Sequence, residues 1–218
     1  MRRNFDEQLN HLNESLIEMG GMVERAIADA NRALVEQNVA LAKEVIRTDD
    51  EVDHKEKEIE SMCLKIILQQ QPVAGDLRQI SSVLKMTTDL ERIGDHATDI
   101  SEITLLLANR QYRKHLEHIP QMAEITAQMV AKSIDAFVKK DLDLANEVIA
   151  MDDIVDAIFM ETRQELIRHI KEHAESSDQA IDLMMAAKYF ERIGDHATNV
   201  AEWVVFSLTG MHKDSRIM

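Results

Sequence analysis

Two rows of carboxylates recur in this chain at helical spacing. Glu91, Asp95, Asp99 and Glu102 follow one another at steps of three or four residues, so at about 100° per residue all four fall within an arc of roughly 80° on one side of a helix. Glu191, Asp195 and Glu202 repeat that row, with Asn199 standing where Asp99 does. Asp49, Asp53, Glu56 and Glu60 form a second acidic row, echoed further on by Asp152 and Asp156 but with Phe159 and Arg163 in place of the last two acids. A solvated acidic stripe normally interleaves Lys or Arg to relieve repulsion, and none stands among Glu91, Asp95, Asp99 and Glu102. Carboxylates brought together repel unless protons, arginines or metal ions intervene. Oxygen-only donors without cysteine suit hard cations such as Fe³⁺, Mn²⁺, Mg²⁺ or Ca²⁺ and give little reason to expect structural zinc. The candidate metal ligands are Asp49, Asp53, Glu91, Asp95 and Asp99 in the first half, and Asp152, Asp156, Glu191 and Asp195 in the second. His96 and His196 lie roughly 140° round the helix from Glu91 and Glu191, poor co-ligands better suited to bonding a neighbouring helix.

The elements that position these acids are duplicated. Glu91–Thr98, Glu-Arg-Ile-Gly-Asp-His-Ala-Thr, recurs without mismatch as Glu191–Thr198. Residues 43–53 are answered by 146–156, and Met22, Val23 and Ile27 by Met129, Val130 and Ile134. The offset shrinks along the chain, which places short deletions in the connections, because loops tolerate length changes and packed helices do not. Periodicity and stop signals predict helices over 4–37, 39–70, 76–109, 119–140, 142–174 and 177–209, and nothing reads as strand. Val83, Met86, Leu90, Ile93, Ala97, Ile100 and Thr104 keep one side of the third helix and should face a core. Asn38 and Asp141 are N-cap candidates; Asp76 with Gln79 and Ser176 with Gln179 have the spacing of capping boxes. The expected fold is all-α, two tandem three-helix bundles over residues 1–112 and 113–218, with one continuous six-helix bundle as the alternative. If the second and third helices are antiparallel about a turn near residue 72, Asp53 stands beside Glu91 and Asp49 beside Asp95. Likewise Asp156 stands beside Glu191 and Asp152 beside Asp195 about a turn near 173–174. Gly94 and Gly194 sit mid-helix, where glycine costs about 1 kcal/mol relative to alanine, and close helix approach would explain them.

Composition narrows the function classes. A formal net charge of −15 opposes gripping nucleic acid, which needs clustered Lys and Arg, and suits cations or basic partner patches. No apolar stretch approaches a membrane span and no hydrophobic signal core follows the start, so a cytosolic location is expected. The single cysteine, Cys63, cannot staple the fold and reads as a small buried hydrophobe. Most of the 13 methionines read as core filler.

Together with the two Glu-Arg-Ile-Gly-Asp segments, Met19-Gly20-Gly21-Met22-Val23-Glu24 and Gln71-Pro72-Val73-Ala74-Gly75-Asp76-Leu77-Arg78 resemble the PhoU family, accessory regulators of bacterial high-affinity phosphate uptake. The resemblance covers nearly the whole chain. It implies a cytoplasmic, non-catalytic protein of two three-helix bundles that represses the phosphate-starvation response when phosphate is plentiful. The implied partners are the phosphate ABC transporter ATPase and a sensor histidine kinase, with a homodimer as the common assembly. It also implies iron or another hard metal on Glu91–Asp95 and Glu191–Asp195, with Asp49–Asp53 and Asp152–Asp156 as acidic partners. The departures at Asn199, Phe159 and Arg163 bear on the second site.

Two other classes compete. A carboxylate-bridged di-iron enzyme expects paired Glu-x-x-His motifs pointing inward, and only Glu51–His54 has that spacing, its counterpart being Ile154–Ala157. A metal-free scaffold would use the same acids to contact a basic partner.

Overall fold

The structure, a computed structural model, describes residues 2–108, 117–212 and 215–216. Six long helices account for nearly all of it: α1 (Arg2–Glu36), α2 (Val39–Gln70), α3 (Gly75–Leu107), α4 (Ile119–Lys139), α5 (Leu142–Glu172) and α6 (Ser177–Thr209). The boundary expected between residues 112 and 113 lies outside the described residues, as does residue 109, the expected end of the third helix. Asn38 and Asp141 cap as their side chains allow: Asn38 Oδ1 accepts from the Leu41 amide at 3.1 Å and Asp141 Oδ1 from the Leu144 amide at 3.0 Å. The expected capping boxes do not form. Asp76 lies inside the first turn of α3, whose N-cap is Ala74, and the Ser176 hydroxyl turns back to donate to the His173 carbonyl at 3.0 Å. A 3₁₀ turn, Ala174–Ser176, fills the connection before α6.

One sequence expectation is corrected at the C-terminus. Gly210, at φ 78°, ends α6 in the left-handed region that glycine tolerates. The chain then turns back as an antiparallel pair of two-residue strands, β1 (Met211–His212) and β2 (Ser215–Arg216). Strands this short leave no alternation to detect.

α1, α2 and α3 pack pairwise as one bundle and α4, α5 and α6 as a second, while α3 meets α6 and α1 meets α4 across the junction. The most extensive helix contact in the molecule is α3 with α6. Asp89 of α3 meets His196 and Asn199 of α6, and His96 meets Tyr189, so the two helices cross antiparallel. The seven apolar-side positions expected on α3 are all buried, but so are Gly94, His96, Ser101 and Ile103. A helix flanked by α1, α2 and α6 has more than one inward side, which a single-face reading cannot register. The tandem bundles therefore share one continuous hydrophobic core, running from Leu16 and Ile27 through Leu90 and Ile100 to Phe190 and Val204. Met19, Met86, Met122 and Met129 fill it, whereas Met160 and Met185 are exposed. Cys63 is fully buried, and burial pushes its thiol up to about 12.

Candidate functional site: two carboxylate clusters

The turn after α2 sets the geometry of the first cluster. Gln71 closes α2 in the left-handed region at φ 48° and Pro72 cannot continue a helix, so the chain reverses into α3. Antiparallel packing then brings Asp49 and Asp53 of α2 to the level of Glu91 and Asp95 of α3, as expected. Gly94 makes the approach close. A Cβ there would stand 3.3 Å from Val52 Cγ1 and 3.5 Å from Asp49 Oδ1. The second repeat reproduces this with Gly194, whose Cβ would stand 3.2 Å from Asp152 Oδ1 and 3.4 Å from Val155 Cγ1.

The electrostatics of the two clusters follow from burial and like charge. Desolvation first, then Asp95 and Asp53, push Asp49 up to about 6, with the Thr98 hydroxyl beside it working in the opposite direction. Burial, then Asp95 and Glu56, push Glu91 up to about 7. Asp95 is also raised by burial, against the opposing pull of Arg92. In the second cluster burial, Asp195 and Asp156 push Asp152 up to about 6, and Thr198 opposes them. Cations stand only at the rim of the first cluster: Lys57 Nζ is 3.4 Å from Asp53 Oδ2, and Arg92 Nε is 3.7 Å from Glu91 Oε2. The second cluster has a cation of its own, because Lys188 pairs with Glu191 and lies over the Phe159 ring at 5.4 Å from its centroid.

Asp99 lies one turn beyond Asp95, its Oδ2 3.2 Å from His96 Nδ1 on the same helix. His196 does bond a neighbouring helix, through Nδ1 to Asp89 Oδ1 at 2.9 Å, and Asn199 Nδ2 donates to the same oxygen at 3.2 Å. Glu56 belongs with the first cluster although it was no candidate ligand; its place in the α2 row was the available signal. Thr98 and Thr198 were also missed, and their signal was the last position of the repeated octamer. Glu51 is exposed and His54 turns its ring onto the backbone carbonyl of Asp50, so the Glu-x-x-His spacing does not aim into a core.

The donor chemistry of both clusters suits a hard cation, which would offset the like-charge repulsion that adds to burial in raising Asp49, Glu91 and Asp152. Among the described residues, however, no three His, Cys, Asp or Glu side chains converge on one ion, so loading a metal requires carboxylate rotamers to swing together.

The family model described as the PhoU domain matches the chain twice, over residues 16–104 and 119–204. The chain is 37% identical to the "Phosphate-specific transport system accessory protein PhoU homolog" of Clostridium acetobutylicum, over 98% of each sequence. It is 40% identical to the homologue of that name from Aquifex aeolicus, over 85% of this chain and 84% of that one. The crystal structure of PhoU from Pseudomonas aeruginosa superposes with a TM-score of 0.91 at 33% identity, covering 95% of this chain and all (100%) of that one. The phosphate transport system regulatory protein PhoU from Streptococcus pneumoniae gives 0.89 at 26% identity, covering 97% and 100%.

Proposed function

This chain belongs to the PhoU family, and we propose from that premise that it is a negative regulator of bacterial phosphate uptake. It acts by contact in the cytoplasm, between the phosphate ABC transporter ATPase and a sensor histidine kinase, as a homodimer and without chemistry of its own. The observation that carries this reading is near end-to-end similarity to proteins named as accessories of the phosphate-specific transport system. No helix among the described residues is long and apolar enough to cross a membrane, in keeping with action through partners. Deleting the gene should derepress phosphate uptake and starvation-gene expression in phosphate-rich medium. Unchanged expression would refute the regulatory reading.

The carboxylate clusters give this regulator a metal-binding capacity. Asp49, Asp53, Glu91 and Asp95, with Asp99 beyond them, would hold a hard cation such as iron in the first cluster, and Asp152, Asp156, Glu191 and Asp195 in the second. What supports this is that burial, reinforced by neighbouring carboxylates, raises Asp49, Glu91 and Asp95 in the first cluster and Asp152 in the second. Bound there, a cation would neutralise the acidic rows and fix the α2–α3 and α5–α6 spacing. Elemental analysis of protein purified without chelators or a metal-affinity tag tests it. The metal-free scaffold is favoured by the lack of three converging donors among the described residues, and a metal content at background would select it.

A further inference from the structure

Beyond the two carboxylate clusters, one matched strip of surface has different chemistry in the two repeats. Glu56, Glu60, Ser81 and Lys85 of α2 and α3 are answered on α5 and α6 by Phe159, Arg163, Ile181 and Met185. Ile181 and Met185 stand one turn apart on α6, 54% and 42% exposed. Phe159 of α5 lies level with the next turn of α6, where the Lys188 ammonium covers its ring. Single apolar side chains are common on a surface, but a run of them beside an unpaired cation marks a contact. Arg163 is that cation: it is exposed, and no ion pair among the described residues takes it up, whereas Lys188 is already paired with Glu191.

The first repeat carries the complement. Glu56 and Glu60 begin a row on α2 that Leu64 and Leu68 continue at the same spacing, the leucines 54% and 77% exposed. Lys57, the cation in that turn, reaches Asp53 instead, at 3.4 Å. Burial and then Glu60 hold Glu56 above its ordinary range, with the Thr88 hydroxyl the chief opposing group. No ion pair among the described residues takes up either acid.

Both strips look out on one side of the molecule. Carried from one repeat to the other, the contact of Asp89 with His196 becomes that of Tyr189 with His96, and both contacts exist. Antiparallel helices that exchange in this way are related by a twofold axis normal to the plane holding both, and such an axis keeps matched faces on the same side. A second twofold axis, lying along that side of the molecule, then sets the second repeat of one copy on the first repeat of another, twice over, and closes the pair.

We infer that a second copy of this chain covers the strip: Arg163, Ile181 and Met185 of one copy meet Glu56, Glu60 and Leu64 of the other, reciprocally. Arg163 supplies the charge that the two acids lack, and the apolar side chains of both strips exclude water around it. First repeat on first repeat would oppose Glu60 to Glu60, and second on second Arg163 to Arg163, so like charges select the crossed arrangement. The inference rests on the homodimer in the proposed function, and it names the faces that form it.

Sedimentation equilibrium of the full chain in chelator-treated buffer tests it. The wild-type chain should be a dimer, and Arg163→Glu, Glu60→Arg and Met185→Glu should each weaken it by about tenfold or more at unchanged helical circular dichroism. The two charge variants mixed in equal amounts should dimerise again, because each offers the charge that the other's reversed residue needs. Glu60→Arg with Arg163→Glu in one chain should dimerise by itself. A dimer indifferent to all three substitutions, or a mixture that stays monomeric while both variants keep wild-type helicity, would overturn the inference and leave the homodimer to form through another face. A wild-type chain that is monomeric at every concentration would overturn the inference and the homodimer together, leaving the regulatory and metal readings to their own tests.

Discussion

Asp49 and Glu91 carry more protons in the folded chain than their ordinary values allow, and that sets the direction of a pH effect. Each is raised on folding, Asp49 from 3.8 to about 6 and Glu91 from 4.5 to about 7. The native state therefore binds more protons than the unfolded one between those values, and stability falls as pH rises through them. His96 is lowered by burial and works the other way below its ordinary value of 6.5, so the clean window lies above it. Chelator-treated protein should melt higher at pH 6.5 than at pH 8, and Asp49→Asn with Glu91→Gln should flatten that slope. A melting temperature that rises toward pH 8 would contradict the account. The two clusters should also differ in metal affinity. Sequence alone points to Asn199, one acid fewer than Asp99 offers; the structure adds Lys188, whose ammonium already neutralises Glu191 where the first repeat has Thr88. Asp95→Ala should therefore release more metal than Asp195→Ala, and Lys188→Thr should narrow the gap. Asn199→Asp is a poorer remedy than the charge count implies, because the new carboxylate would face Asp89. Equal losses from both alanine variants, read by elemental analysis, would remove the asymmetry.

Helices carry their own tests, and neighbouring glycines of α1 give opposite ones. A Cβ on Gly20 would stand 3.0 Å from Ile134 Cγ1 of α4, while one on Gly21 meets only the end of Arg25 at 3.5 Å. Gly20→Val should overpack the α1–α4 contact and destabilise by about 1–3 kcal/mol. Gly21→Ala should stabilise by up to about 1 kcal/mol through helix propensity. Thermal melts showing the same sign for both would show that α1 and α4 are not packed this closely. At this scale the sequence was most legible. Helix spans, the caps at Asn38 and Asp141, and the levels of Asp49 against Asp95 and Asp152 against Asp195 all follow from periodicity and antiparallel turns. The second inward side of α3 and the Lys188 pair did not. Each depends on which helix of the other repeat, or which rotamer, comes to lie alongside, and spacing within one helix does not encode that. The capping boxes failed for a related reason: Ser176 found a nearer acceptor in the His173 carbonyl.

Across the whole molecule the shared core makes the two repeats one thermodynamic unit. Buried Leu90, Ile100, Phe190 and Val200 belong to a single cluster, and its centre is braced by Asp89 against His196 and Asn199 and by His96 stacked on Tyr189 at 5.5 Å. Splitting the bundles would expose the buried apolar positions that α3 and α6 turn towards each other to water. Unfolding followed by circular dichroism and by Trp203 fluorescence should therefore give coincident transitions, and separated ones would show that the repeats melt independently. The same joined core has a consequence for dissection. Residues 1–108 and 117–218 produced as separate polypeptides should each fail to fold alone yet reconstitute the native helical assembly on mixing, so the molecule can serve as a split pair whose recovery reports on the α3–α6 seam.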